Sequence, residues 1–202
     1  MKRYKYLGSW ISEDLKCGEE LISRIGLAKV AFWKNKELLR RNFSTQTKLR
    51  IINCYIFSVL SYGAECGTWN MEMKKRVDAF EMWCYRRMLK ISWKERVSNI
   101  EVLKRVDTKL HFGIDMWKRK LSFAGHVLRG SGGDSHLLVL EGKINGKRGK
   151  GRPRLTWMDN IMRWINVGSY AEAKKWAGVR DSWRTMVVNL LFEDDSRSGP
   201  GG

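Results

Sequence analysis

Apolar residues recur along this chain at intervals of three and four, the spacing of one face of an α-helix. Between residues 18 and 41, Ile22, Ile25, Ala28, Phe32 and Leu39 keep that spacing and predict a first amphipathic helix. Ser44 stands as an N-cap for a second helix over about residues 45–62, whose inward stripe is Leu49, Ile52, Ile56 and Leu60. A third, over about residues 71–91, turns Val77, Phe80, Cys84, Met88 and Ile91 inward. Ser98 and Glu101 have capping-box spacing for a short helix through Val106, and Leu110, Ile114, Trp117, Leu121 and Leu128 carry the period on to Arg129.

Two stretches break the pattern. At the start, Tyr4, Tyr6, Leu7, Trp10 and Ile11 surround a Gly8-Ser9 step and predict a short strand or hairpin, which needs a partner elsewhere to be stable. From Gly130 to Pro153, seven glycines break any helix, and Leu137 to Leu140 could form a short strand. Helical spacing returns with Trp157, Ile161, Trp164 and Ile165; Ser169 and Glu172 have capping-box spacing before Ala173, Trp176 and Ala177; and Asp181 caps a last helix carrying Trp183, Val187, Leu190 and Leu191. The implied segments are residues 1–12, a helical region 13–129, a glycine-rich basic loop or linker 130–156, a tryptophan-rich helical region 157–192 and a disordered tail 193–202. The fold class expected is mainly α.

Composition narrows the partners. The 202 residues include 39 basic and 21 acidic side chains, a net charge of +18, which points to a polyanionic partner. Ten tryptophans and only two prolines argue for a folded, helix-rich chain. The four cysteines form no CxxC pair and read as small buried hydrophobes in a reducing compartment. Neither a signal peptide nor a membrane span is apparent, so a nuclear or cytoplasmic protein that is not secreted is expected.

No catalytic or metal site assembles from the sequence. His111, His126 and His136 lack zinc spacing, and Asp194-Asp195 sits in a Ser/Gly tail with no strand to fix it for metal binding. Binding candidates are clearer. Lys143, Lys147, Arg148, Lys150, Arg152 and Arg154 put six cations in twelve residues without an acid, among glycines that let the backbone approach a phosphate chain. Their Gly151-Arg152-Pro153 resembles an AT-hook core; a solvated basic linker is the alternative. On the third helix Arg76, Trp83, Arg87 and Lys90 form a stripe that could follow a backbone while the indole stacks on a base, unless Trp83 packs inside. Lys118, Arg119 and Lys120 beside Trp117 repeat that theme, with a solvated face as the plainer reading.

In order along the chain, several segments resemble the C-terminal part of non-LTR retrotransposon endonuclease-reverse transcriptases of the RTE and BovB group. These are Tyr6-Leu7-Gly8-Ser9 with Ile11; Arg24-Ile25 with Ala28; Tyr62-Gly63-Ala64-Glu65 with Trp69; Gly125-His126-Val127-Leu128-Arg129; Gly151-Arg152-Pro153 with Trp157, Asp159 and Ile161; and Ala177, Arg180, Trp183 and Arg184. Val179 departs from the family, which has an acid there, and Trp69 lies further along than the family's tryptophan. The resemblance implies that Tyr6, Leu7 and Gly8 belong to a primer-grip-like strand and that a thumb-like bundle follows. It also implies that magnesium is held by palm residues preceding Tyr4 in the parent polymerase, that the palm, fingers and endonuclease are missing here, and that this chain, a fragment or degenerate copy, is inert alone and needs no cofactor. RNA and DNA are the implied partners. The competing expectation is a free-standing chromatin- or DNA-binding module that uses the Gly-Arg-Pro loop.

Overall fold

The computed structural model describes residues 3–6, 8–12, 17–131, 133–141 and 155–193. The basic loop from Lys143 to Arg154, Leu7 and the Asp194-Asp195 tail lie outside the described residues. The chain is mainly helical and divides into two units: residues 1–64 with 69–116, and residues 65–68 with 117–202.

In the first unit, β1 (Arg3–Tyr6) and β2 (Ser9–Ser12) run antiparallel with Tyr6 opposite Ser9, and Gly8 takes a φ of +82° in the turn, a value that favours glycine. Helix α1 (Cys17–Lys34) buries Leu21, Arg24, Ala28 and Phe32. The buried stripe is therefore one residue out of phase with the predicted one at its start, and Ile22 is exposed. The reason is that Arg24 has partners that make its burial tolerable: its guanidinium donates to Glu20 Oε1 and to the Gly8 carbonyl, both at 2.7 Å, and lies 4.5 Å from the Tyr62 ring centre.

After α2 (Lys36–Arg40), Ser44 caps α3 (Thr45–Ile51) by accepting from the Thr47 amide at 3.2 Å. The helical path continues through a π-helical stretch, Ile52–Phe57, into α4 (Ser58–Leu60), and Leu49, Ile52, Ile56 and Leu60 are buried as the spacing predicts. Asn70 caps α5 (Met71–Met88), which stops short of Ile91 because Lys90 turns left-handed at φ 59°. A 3₁₀ turn, Trp93–Glu95, and α6 (Asn99–Val106) follow. The unit closes on the first residues of α7 (Phe112–Leu128).

The second unit takes the rest of α7 together with α8 (Asp134–Glu141), α9 (Trp157–Trp164), α10 (Tyr170–Gly178) and α11 (Arg180–Glu193). Residues 117–128, which periodicity groups with the preceding helices, belong here because Leu121, Ala124 and Leu128 share a core with Ile161, Ile165, Ala173, Ala177, Trp183 and Val187. Leu137 to Leu140 are helical, not a strand. Four apolar residues in a row do not specify a period, and the two readings are indistinguishable locally. Glu193 likewise closes α11 and does not open the tail. Asp181 lies in the first turn of α11 and is not its cap.

Candidate nucleic-acid interface

The C-terminal half of α1, α2, the end of α5 and the 3₁₀ turn enclose a groove of about 1140 Å³ in the first unit. Its cations are Lys36, Arg40, Arg86, Arg87, Lys90 and Arg96, and among the described residues no aspartate or glutamate lines it. The helix-ending geometry explains how so many converge: Lys90 and Arg96 both sit at left-handed turns, φ 59° and 49°, which reverse the chain around the groove. Arg86 holds the far wall in place by donating to the Val97 carbonyl at 2.7 Å and to Asn99 Oδ1 at 2.9 Å.

Aromatic rings form the floor. Trp83 is half-buried, stacked on Phe80 with centres 5.8 Å apart and edge-on to Phe32 and Trp33. Arg87 lies 5.6 Å from the Trp83 ring centre and 5.4 Å from that of Trp33, with Lys29 5.7 Å from Trp83. The ring that sequence spacing offered for base stacking is thus already engaged by the chain's own residues. The open indoles of the groove are Trp93, 84 % exposed, and Trp33, 46 % exposed.

Of the four residues in the predicted stripe, Trp83, Arg87 and Lys90 line the groove. Arg76 does not; its guanidinium pairs with Glu72 at 2.7 Å. Sequence reasoning missed Trp33, Trp93, Lys36, Arg40, Arg86 and Arg96. A signal existed for two of them: Trp33 is a large ring on the polar side of α1 next to buried Phe32, and Trp93 follows the N-cap Ser92 of a short polar turn. Of Tyr6, Leu7 and Gly8, expected in a primer-grip-like strand, Leu7 lies outside the described residues and the Gly8 carbonyl accepts from Arg24, so Gly8, Arg24 and Tyr62 meet at one guanidinium.

In the second unit the basic run beside Trp117 is not one solvated face. Lys118 and Arg119 are exposed, and Arg119 pairs with Glu65 at 2.7 Å. Lys120 is fully buried. Its ammonium donates to the Gly67 carbonyl at 2.6 Å and to Asn160 Oδ1 at 2.9 Å, and lies 5.4 Å from the ring centres of both Trp157 and Trp164. A cation in that cage keeps hydrogen bonds and π-faces in place of water.

The cysteines correct the expectation of uniform burial. Cys84 is buried, and burial pushes its thiol far up, which makes it inert; Cys54 is exposed because it lies off the buried stripe of Ile52 and Ile56, and Cys66 is exposed in the turn before α5. No group of three or more His, Cys, Asp or Glu side chains among the described residues could hold a metal ion. No helix among them is long and apolar enough to cross a membrane.

Fold and groove together define a mainly helical protein with a cation-lined, tryptophan-floored groove. Over 171 residues the chain is 28 % identical to an uncharacterized transposon-derived protein of Caenorhabditis elegans. That alignment takes in 81 % of this chain and 60 % of the nematode protein, so the chain spans under two thirds of that relative's length. No family model matches the chain, and no solved structure matches it.

Proposed function

We propose that this chain is the nucleic-acid-holding C-terminal portion of an RNA-directed DNA polymerase of a non-LTR retrotransposon, gripping template-primer or target DNA without a catalytic site of its own. The groove of the first unit carries this reading: six cations with no acid among the described lining residues, and two open indoles between them, are the elements from which single-stranded backbones and unpaired bases are held. The transposon-derived relative, the net charge of +18 and the order of the motif segments support it. The basic loop from Lys143 to Arg154 adds cations that neutralise phosphates without needing a fixed conformation.

Titrations of the purified chain with labelled RNA, single-stranded DNA and RNA–DNA hybrid at rising salt test the proposal. Affinity should fall steeply with salt, with a log–log slope of about −0.7 per phosphate contact on single strands. Trp93→Ala should cost about 1–3 kcal/mol of single-strand affinity at unchanged thermal stability. Salt-independent affinity, or a Trp93→Ala variant that binds like the parent, would overturn the groove as the holding site.

A further inference from the structure

Two sequence segments that lie 51 residues apart at their nearest, Gly125 to Arg129 and Arg180 to Arg184, form a single cleft in the second unit. Its volume is about 410 Å³, and α7 and α11 are its walls. Along α7, Lys118 and His126 are exposed two turns apart on one face, with Arg129 at the end; along α11, Arg180 and Arg184 are exposed one turn apart on the facing side. Among the described residues no aspartate or glutamate lines the cleft.

The floor is built to bring these two rows together. Gly125 has no side chain because the Trp183 indole lies against it: a Cβ there would sit 2.7 Å from Cδ1 and 2.9 Å from Cε2 of Trp183, and closer still to Nε1. The indole N–H donates to the Leu121 carbonyl at 3.0 Å, and the ring is 3 % exposed. Arg129 is held at one end by donating to the Ala177 carbonyl at 3.1 Å, so its guanidinium is positioned in advance of any ligand.

We infer that this cleft is a second nucleic-acid site, one that takes the phosphodiester backbone of a duplex and does not read bases. Cations from two helices facing a shared cleft match a polyanionic backbone, while the indole in the floor is covered and tied, leaving no open indole among the described lining residues on which an unpaired base could stack. The first-unit groove has the opposite character, with Trp33 and Trp93 exposed. The chain therefore separates single-strand holding in one unit from duplex holding in the other. This inference rests on the proposed nucleic-acid-holding role.

The test uses the full chain, a labelled blunt duplex DNA and a labelled single-stranded DNA, each titrated across a range of salt. Arg180→Gln with Arg184→Gln should lower duplex affinity on the order of tenfold and reduce the salt slope by about 2, one for each phosphate no longer neutralised. Single-strand affinity should stay within about twofold of the parent, since single strands are held in the other groove. Lys118→Gln with His126→Gln, on the facing helix, should act in the same direction; both pairs are exposed, and an unchanged melting curve verifies that each variant is folded. If the parent binds duplex but both double variants keep its affinity and slope, the duplex site is refuted while the proposed function stands. Equal losses on duplex and single strand refute the division of labour. A parent that binds neither probe refutes both readings.

Discussion

The carboxylate of Glu81, in the middle of α5, accepts from the backbone amide of Phe112 at 2.9 Å, so a fully buried side chain caps α7 from 31 residues away. The same carboxylate accepts from the His111 amide at 2.9 Å and from the Tyr85 hydroxyl at 2.6 Å, and lies 3.0 Å from His111 Nδ1. One buried anion thus satisfies two orphan helix N–H groups and offsets the α7 dipole. Glu81→Ala strands those donors in the interior and should cost about 3–5 kcal/mol in denaturant unfolding. A loss under about 1 kcal/mol would show that water replaces the carboxylate.

His111 should make the stability of this unit depend on pH. Burial pushes its imidazole down, but the hydrogen bond and charge of Glu81 outweigh that and hold it above the ordinary 6.5; burial, reinforced by the Glu81 charge, also pushes the Tyr85 hydroxyl far up. A pKa raised on folding contributes stability that is complete below the unfolded value and disappears as pH rises through the folded value. The melting temperature of the parent should therefore exceed that of His111→Gln most at pH below 6.5, and the gap should narrow as pH climbs. A gap constant with pH would show that His111 acts through packing alone.

Gly125→Ala tests the packing of α7 against the Trp183 indole. The added methyl would meet the ring at 2.7 Å or less, and the indole is fixed by its bond to Leu121. Overpacking of this kind should cost about 1–3 kcal/mol, against the stabilisation of up to about 1 kcal/mol expected for Gly→Ala at an open helical site. Melting of Gly178→Ala, where nothing lies within 4 Å of the added carbon, supplies the comparison.

Trp83→Ala should behave unlike Trp93→Ala. Trp83 is packed by Phe80, Phe32 and Trp33, so its removal should destabilise the fold, toward the lower end of about 3–5 kcal/mol because the ring is only half-buried. Weakened binding at an unchanged melting temperature would instead assign this ring to base stacking.

Lys120→Met exchanges a buried ammonium for an apolar side chain of similar length. The Gly67 carbonyl and Asn160 Oδ1 would each be left without this donor, at about 1–3 kcal/mol for each buried group left unpaired. Removing the desolvated charge offsets part of this, and a net destabilisation of about 1–3 kcal/mol in unfolding is expected. A more stable variant would show that the tryptophan cage prefers a neutral occupant.

Local pattern determined most of the helices, α8 being the exception. Leu49, Ile52, Ile56 and Leu60 are buried where a period of 3.6 puts them, and Ser44, Ser98 and Ser169 cap the segments they precede, because spacing and capping act over a few residues. The charge imbalance and the order of motif segments were likewise present in the chain itself. Tertiary structure decided the rest. Whether Lys120 meets water or a tryptophan cage, whether Trp83 or Trp93 is the open ring, and whether Arg24 or an isoleucine occupies the buried face of α1 all depend on partners distant in sequence: Asn160, Phe32, Gly8 and Tyr62. A cation or an indole has the same local preference in either environment, and only the atoms that replace its water determine which one it takes.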